Sequence, residues 1–473
     1  MANMIYKDLR SFLAKLKEEG QLIEISETVA PEPDLSAAGC AVSRLGEKSP
    51  ALYFDNIIGY KDKKIIMNVH GSWPNFALAM GMEKNASVKE MFFEFVDRYT
   101  KYEEGKVIYK DDALWKECVI DENVNLYDIL PLFRTNKGDG GFYIDKAVIV
   151  SRDPEDPSSF DKQNVGIYRL QVKGKSRIGI QPVPAHDIAV HLQKAEALDK
   201  KLPIAICISN DPVIGIVASM PIEYNQSEYK MAAAIQKAPY SITKTDLTKL
   251  DVPTGSEYIL EGYIVPGERE CEGPFGEFTG HYSGTRRMPI VEITKVSHRI
   301  NPIYEHLYIG MPWTEADYMF LNTCPPVYVQ LKKRFPEIQA VNALYTHGLV
   351  IIVSTKCRYG GFAKAIGMSV LTTPHGLGYA KVVIVVDEDV DPFNLPQVMW
   401  SLSTKFNPQF DLVNIPGLSV LELDPGSDPA GITNKIIIDA TTPKSPETHG
   451  HYSQGVKDPV ETKEWIDKLK KYM

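Results

Sequence analysis

The chain has 473 residues, of which 44% are hydrophobic and 24% charged, and this is the composition of a globular protein with a large core. A formal net charge of −9 argues against a protein that holds a nucleic-acid backbone on a basic surface. The six cysteines include no C-x-x-C pair, which argues against a zinc ribbon, a disulfide scaffold and a dithiol redox site.

The N-terminal residues are polar from the start, so we expect no signal peptide. No apolar run approaches the length that spans a bilayer. The composition therefore favours a cytoplasmic protein with neither a membrane nor a nucleic-acid partner.

In the N-terminal part, apolar residues at helical spacing predict a helix from Leu9 to Leu16 that ends at Gly20. Residues 22–25 are typical of a strand, and a second helix is predicted over 34–45. Ser87 and Glu90 form a capping box that predicts a third helix.

Residues 102–112 are charged and aperiodic, and we interpret them as a linker. We expect four parts: an N-terminal α/β domain (1–112), a central β-rich domain (113–310), a C-terminal α/β domain (311–445) and a tail with a terminal helix (446–473).

In the central part, short β-rich runs at 147–150, 168–172, 204–208, 258–260 and 290–293 are separated by turn residues. They predict a partly antiparallel sheet or small barrel, with helices near 187–200 and 227–237.

In the C-terminal part, the continuous apolar runs 349–353 and 382–386 predict strands buried on both faces of an α/β layer. Residues 460–472 are typical of an amphipathic helix that could pack on a partner subunit.

Two carboxylates, Glu272 and Glu277, flank a Gly-Pro-Phe-Gly stretch that fixes the backbone path. Carboxylates held together in this way suit proton chemistry, because burial and mutual repulsion raise the pKa of one of them. A polar surface turn is an equally good interpretation of this stretch alone.

Upstream, Gly166 would allow a ligand to lie close to the backbone. Arg169 offers paired N–H donors that could bind a carboxylate or a phosphate. The alternative is a strand entry with a surface arginine.

Asn164, His186 and Glu228 would together give oxygen and nitrogen ligands that suit Mn²⁺ or Mg²⁺ near a phosphate. His186 and His191 do not share a helix face, so they are poor joint ligands. A solvated histidine at a helix start is the alternative for His186.

No phosphate-binding loop or dinucleotide fingerprint is present. Residues 373–376 predict a tight loop that is either structural or part of a site. The polar stretch 447–455, with His449 and His451, is interpreted as an exposed loop.

Nearly the whole chain resembles the UbiD family of prenylated-flavin decarboxylases. The similarity is closest to the non-oxidative hydroxyarylic acid decarboxylases, which include the C subunit of phenolic acid decarboxylase and the 4-hydroxybenzoate and protocatechuate decarboxylases. The segments that carry the resemblance are 163–169, 218–221, 272–277, 371–379 and 439–443.

The resemblance implies an α+β multidomain fold, with a central split β-barrel-like cofactor domain and an α/β C-terminal oligomerisation domain. It implies prenylated FMN bound along Asn164, Val165, Gly166, Ile167, Tyr168 and Arg169, with Ala185, His186 and Glu228 also at the cofactor. Residues 181–187 depart from the quinone-pathway members, which have a basic run there, although His186 still fits the ligand position.

The resemblance also assigns ligand roles. Asn164, His186 and Glu228 match the ligands of a divalent metal, usually Mn²⁺, that bridges to the flavin phosphate. K⁺ is implied beside it, near the carbonyl groups of Ala218 and Ser219.

Arg169, Glu272 and Glu277 match the family's catalytic network, with Glu277 as proton donor. The implied reaction is reversible, non-oxidative decarboxylation of acids such as 4-hydroxybenzoate, protocatechuate and vanillate to phenols and CO₂, through a prenylated-FMN adduct. Phe278 and His306 are either pocket-shaping or core residues.

Implied partners are a UbiX-type flavin prenyltransferase that supplies the cofactor and further copies of the chain, as a homodimer or hexamer. The rival functions are a quinone-pathway prenyl-hydroxybenzoate decarboxylase and a non-catalytic flavin-binding assembly subunit.

Overall fold

The computed structural model describes residues 5–184, 186–450, 456, 458–469 and 471–472. The first elements are helices packed against short strands: α1 (Leu9–Glu18), β1 (Leu22–Ile25), α2 (Ser36–Arg44), β2 (Ala51–Phe54), β3 (Lys64–Met67), α3 (Trp73–Ala79) and α4 (Val88–Tyr99). The three N-terminal helices predicted from the sequence are all present. The one predicted over 34–45 follows a π-type turn at Pro31–Leu35 and begins at Ser36.

The predicted helix starts have clear local causes. The Ser87 side chain accepts a hydrogen bond from the Glu90 amide, and the Glu90 carboxylate accepts one from the Ser87 amide at 2.8 Å. This confirms the capping box at the start of α4. Asp8 caps α1 in the same manner with Ser11.

The central part is dominated by strands: β4 (Val107–Tyr109), β5 (Cys118–Ile120), α5 (Leu126–Ile129), β6 (Tyr143–Ile144), β7 (Val148–Arg152), β8 (Gln163–Ile167), β9 (Leu170–Val172), β10 (Arg177–Ile180), α6 (Asp187–Ala197), β11 (Leu202–Ile208), α7 (Pro212–Ala218), α8 (Glu228–Ile235), β12 (Tyr240–Lys244), β13 (Asp251–Pro253), β14 (Tyr258–Glu272), β15 (Arg286–His298) and β16 (Ile303–His306). The linker interpretation of 102–112 is wrong, because β4 pairs in parallel with β12.

One large sheet organises this part. Its strand order is β6-β9-β10-β15-β14-β11-β7-β8, and β5 also pairs with β15. The pairs within it are antiparallel, whereas the sequence predicted a sheet that is only partly antiparallel, or a small barrel. β16 follows β15 in the chain but does not join the central sheet. It pairs in parallel with β3, so the N-terminal sheet has the order β1-β2-β3-β16.

The C-terminal part is an α/β layer: α9 (Glu315–Met319), α10 (Cys324–Arg334), β17 (Ile338–Asn342), β18 (Val350–Thr355), α11 (Phe362–Leu371), α12 (Pro374–Gly378), β19 (Val382–Asp387), α13 (Leu395–Thr404), β20 (Leu412–Ser419), β21 (Ile432–Ala440) and α14 (Thr462–Leu469). β18 and β19 are the two predicted apolar runs, and they pair in parallel inside the five-stranded sheet. Residues 373–376, predicted as a loop, instead begin α12, which the Thr373 side chain caps.

One hydrophobic core runs through all three parts and includes Phe12 of α1, Ile214 of α7 and Ile351 of β18. A second core fills the space between the N-terminal sheet and the central sheet. Within the described ranges, no helix is both long and apolar enough to cross a bilayer.

Candidate active site

A cavity of about 270 Å³ lies between the central sheet and the C-terminal layer. Its central wall comes from β8, from the N-terminal ends of α6 and α8, and from the C-terminal end of α7. Its opposite wall comes from the C-terminal layer. The lining residues are Asn164, Val165, Gly166, Ile167, Tyr168, His186, Asp187, Ala218, Ser219, Met220, Pro221, Ile222, Glu228, His347, Pro374, His375 and Tyr379.

The structure brings the three candidate metal ligands to this cavity. Asn164 lies on β8, His186 directly precedes α6 and Glu228 is the first residue of α8. Each keeps one buried atom without a hydrogen-bond partner: Nδ2 of Asn164, Nδ1 of His186 and Oε2 of Glu228. Because buried polar atoms are normally paired, these three orphaned atoms fit a group that binds here.

Burial also sets the charge of these ligands. It lowers the pKa of His186 to about 4, so the imidazole is neutral and able to bind a metal ion. It raises the pKa of Glu228 to about 8, against backbone hydrogen bonds that lower it. A cation beside Glu228 would remove this penalty. Ala185, predicted at the cofactor, lies outside the described residues.

Gly166 lies where the chain leaves no room for a side chain. A Cβ atom at this position would lie 2.5 Å from the Tyr168 hydroxyl oxygen. That hydroxyl donates a hydrogen bond to Asn164 Oδ1 at 2.8 Å. The glycine therefore lets Tyr168 fold back along β8 toward the candidate metal ligand.

Arg169 joins the two carboxylates that the sequence singled out. Its Nε and Nη2 donate to the two oxygens of Glu272 at 2.9 and 2.7 Å, and its Nη1 donates to Glu277 Oε1. All three side chains are buried, so the surface-turn interpretation of this stretch and the surface-arginine interpretation of Arg169 are wrong. Tyr143 donates a further hydrogen bond to Glu272 at 3.1 Å.

The two carboxylates differ in their surroundings. Burial raises the pKa of Glu277 to about 7, although Arg169 opposes the shift and Glu272 and Asp139 add to it. Glu272 is fully buried and receives the arginine fork. Glu277 can therefore carry a proton near neutral pH, whereas Glu272 is positioned to hold the arginine.

The loop that carries Glu277 is held by a second loop whose role the sequence did not reveal. Asp139 accepts hydrogen bonds from the amides of Gly276 at 2.9 Å and Asn136 at 2.7 Å. The Gly140 amide donates to the Pro274 carbonyl at 2.7 Å. A Cβ atom at Gly140 would lie 2.2 Å from the Gly273 carbonyl oxygen, so this close approach requires glycine.

The opposite wall of the cavity includes Pro374 and His375 from the segment 373–376, which was predicted to be either structural or part of a site, whereas no role was predicted for His347. His375 and Tyr379 stack with centroids 4.5 Å apart, and His375 Nε2 donates to the His347 carbonyl at 2.9 Å. Burial lowers the pKa of His375 to about 4 and that of His347 well below its ordinary value. The buried Lys435 donates to the carbonyl groups of Gly376 and Leu377 and so anchors α12.

Other histidines named in the sequence lie outside this cavity. His306 is buried with its Nδ1 3.1 Å from Asp145, which is a core position. His191 Nδ1 lies 2.9 Å from the Ser151 hydroxyl, and it does not line the cavity with His186. Residues 447–450 form a loop, as predicted, but His449 is half-buried with its Nε2 2.9 Å from Asp411, while His451 falls outside the described residues.

A separate buried cluster has the residue types of a metal site. Ligand atoms of His70, Glu305 and Glu315 lie within 4.8 Å of one another. However, Lys146 Nζ lies among them, 3.0 Å from His70 Nδ1 and 2.6 Å from Glu305, with Glu315 also in contact. Burial alone would lower the pKa of Lys146, but the two glutamates outweigh it and raise the pKa. An ammonium group therefore fills this cluster.

Comparison with known proteins gives consistent matches over the chain. Family models described as the N-terminal, Rift-related and C-terminal domains of 3-octaprenyl-4-hydroxybenzoate carboxy-lyase (UbiD) match residues 13–95, 106–312 and 319–440. A phenolic acid decarboxylase from Bacillus subtilis (strain 168) is 63% identical over 468 residues, which cover 98% of this chain and 99% of the relative.

Solved structures give the same result. Vanillic acid decarboxylase from Sedimentibacter hydroxybenzoicus, in closed form, superposes with a TM-score of 0.93 at 52% identity, covering 100% of this chain and 99% of that one. The UbiD-class enzyme HmfF from Pelotomaculum thermopropionicum, in complex with FMN, superposes with a TM-score of 0.83 at 28% identity, covering 98% of this chain and 100% of that one.

Proposed function

Because the chain belongs to the UbiD family of carboxy-lyases, we propose that it is a prenylated-FMN-dependent hydroxyarylic acid decarboxylase. The proposed reaction is the reversible, non-oxidative conversion of acids of the 4-hydroxybenzoate, protocatechuate and vanillate type to phenols and CO₂. The observation that carries the proposal is the buried Arg169–Glu272–Glu277 network beside a cavity with three orphaned polar atoms.

The network provides what the reaction requires from the protein. After CO₂ leaves an aryl ring, the ring carbon must receive a proton, and Glu277 can hold one near neutral pH. Glu272 fixes the Arg169 guanidinium from one side, so the remaining donor, Nη1, is directed at Glu277. Arg169 is thereby positioned to orient a substrate carboxylate as well.

The cavity residues suit the cofactor that the family implies. Prenylated FMN, when bound, supplies the electron sink that no amino-acid side chain provides. Asn164, His186 and Glu228 would hold Mn²⁺ or Mg²⁺ beside its phosphate, and carbonyl groups near Ala218 and Ser219 would hold K⁺. The relative HmfF has been solved with FMN and, in an evolved dimeric form, with prenylated FMN.

We propose that a UbiX-type prenyltransferase supplies the flavin, that the protein works in the cytoplasm, and that chains associate through the C-terminal layer as dimers or hexamers. Helix α14 supports self-association, because it leaves Trp465, Ile466 and Leu469 exposed on one short helix.

The test is to produce the protein together with a flavin prenyltransferase, to identify the bound flavin by mass, and to measure CO₂ release from the three acids. We expect wild-type protein to release CO₂, and Glu277→Gln to bind the flavin without turnover. Glu268→Gln, which changes an exposed carboxylate on β14, the strand that precedes the Glu277 loop, is the matched control and should remain active. Turnover by Glu277→Gln would exclude Glu277 as the proton donor, and wild-type protein that holds the flavin without releasing CO₂ would contradict the reaction.

A further inference from the structure

His347 is a cavity residue whose ring has no hydrogen bond from the described residues. Its imidazole packs among aromatic rings, with centroids 4.3 Å from Phe320, 4.8 Å from Tyr379 and 5.9 Å from Phe278. These rings fix its orientation, and the Tyr379 hydroxyl, the one polar group that they carry, makes no hydrogen bond to it. A polar ring in such a wall gains stability when a bound molecule pairs with it.

The backbone at His347 is held in a conformation that side chains rarely adopt. Thr346, His347 and Gly348 have φ values of 50°, 55° and 80°, so three successive residues are left-handed. Such a conformation is costly for a residue with a Cβ atom, and it persists where surrounding structure enforces it. Here His375 contributes by donating its Nε2 hydrogen to the His347 carbonyl oxygen.

His375 and His347 differ in the hydrogen bonding of their rings. His375 stacks on Tyr379, and one of its ring nitrogens already donates a hydrogen bond to a backbone carbonyl group. It is therefore a structural part of the cavity wall. His347 is placed by that wall, and its own ring nitrogens are left for a ligand. It also lies close to the acid network, since Phe278 directly follows Glu277.

We propose that His347 binds the ring hydroxyl of the substrate and so makes the cavity selective for hydroxyaryl acids over unsubstituted aryl acids. This inference rests on the proposed function and adds a specificity residue to it. A neutral imidazole offers one donor and one acceptor, which match a phenolic hydroxyl. The flat faces of Phe278 and Phe320 suit an aryl ring beside it.

The chemistry of the surroundings favours a hydroxyl over the other groups of a bound complex. A substrate carboxylate has Arg169 as its charged partner, and a phosphate would lie near the candidate cation ligands on β8, α6 and α8. The rings packed on His347, those of Phe278, Phe320, Tyr379 and His375, include no lysine or arginine to stabilise an anion, and its other electrostatic neighbour is the imidazole of His186.

The test uses ligands that cannot lose CO₂. 4-Hydroxybenzamide and benzamide differ only in the hydroxyl group, and their dissociation constants can be measured by calorimetry on flavin-loaded protein. We expect wild-type protein to bind the hydroxy compound about 10-fold more tightly, which is the effect of one hydrogen bond in a site that excludes water. His347→Phe should bring this ratio close to one.

Two further variants complete the test. His347→Gly suits the left-handed backbone and serves if the phenylalanine variant does not fold. His298→Asn changes a histidine that contacts the Arg299 carbonyl away from the cavity, and it should keep the wild-type ratio.

A wild-type protein without preference for the hydroxy compound, including one that binds neither amide, would overturn the proposal. So would His347 variants that keep the preference. Failure of the decarboxylase proposal would appear separately, as preference for the hydroxy compound without CO₂ release from any phenolic acid.

Discussion

Arg169 donates two parallel hydrogen bonds to Glu272, at 2.9 and 2.7 Å, while its remaining nitrogen, Nη1, donates to Glu277. The two carboxylates are thus unequal neighbours of one guanidinium. Glu272 accepts two hydrogen bonds from Arg169 and so fixes the arginine. Glu277 accepts one hydrogen bond from Arg169, and its pKa remains raised. This asymmetry allows the two acids to have different roles in one site.

Turnover should fall as the pH rises through about 7. In the proposed reaction Glu277 is the proton donor, and burial raises its pKa from 4.5 to about 7, so the protonated form is populated below that pH and lost above it. The same raised pKa means that its contribution to stability is also lost as the pH rises through about 7. The measurement is kcat for CO₂ release against pH, and a kcat that stays constant across pH 7 would contradict the assignment.

Asp139→Asn should lower kcat by about 10-fold, because the amide group cannot accept hydrogen bonds from Gly276 and Asn136 with both of its atoms. It also removes a negative charge that helps to raise the pKa of Glu277, so the pH at which kcat falls should move lower. A loss of kcat without this pH shift would indicate a purely structural role. The matched control is Asp156→Asn, an exposed loop carboxylate paired with Lys162.

Glu228→Gln should make the metal-free protein more stable while abolishing metal binding. Without a cation, Glu228 is a buried carboxyl group with an orphaned oxygen, and a neutral amide has a lower desolvation cost. Metal analysis and thermal unfolding with and without Mn²⁺ would check this. Wild-type Tm should rise with Mn²⁺ and fall after chelation, and the variant should respond to neither treatment. Equal metal content in the two proteins would contradict the ligand assignment.

Lys146→Met should destabilise the protein by about 3–5 kcal/mol, because it leaves Glu305 and Glu315 buried without their cation. Chemical denaturation would measure the loss. Lys15→Met removes a half-buried surface lysine that pairs with Glu19, and it should have little effect.

Lys146→Ala offers a related test of the same cluster. With the ammonium group gone, His70, Glu305 and Glu315 retain ligand atoms within 4.8 Å of one another. Added divalent metal should then raise the Tm of the variant more than that of the wild-type protein. A variant that unfolds at the same temperature with and without metal would show that the cluster cannot adapt to an ion.

Local patterns in the sequence predicted the elements that local physics determines. The Ser87–Glu90 capping box and the apolar spacing from Leu9 to Leu16 fix helices through contacts within one turn or two. The continuous apolar run of β19 likewise required a buried strand. The acid pair was visible because its two members lie five residues apart.

Contacts between distant segments were not predictable in this way. Nothing near Asp139 in the sequence reveals that it holds Gly276, which lies 137 residues away. His347 carries a weak local signal, the following Gly348, but its place in the cavity depends on packing by Phe320 and His375. The predicted linker failed for the same reason, because the partner of β4 is β12, far along the chain.

The Lys146 cluster limits how early its part of the interior can fold during synthesis of the chain. Its members arrive in the order His70, Lys146, Glu305 and Glu315, and the last lies 245 residues after the first. Until Glu305 and Glu315 have emerged from the ribosome, burying Lys146 would isolate its charge, so the ammonium group should stay hydrated. A fragment that ends before residue 305 should therefore not form the native interior around Lys146.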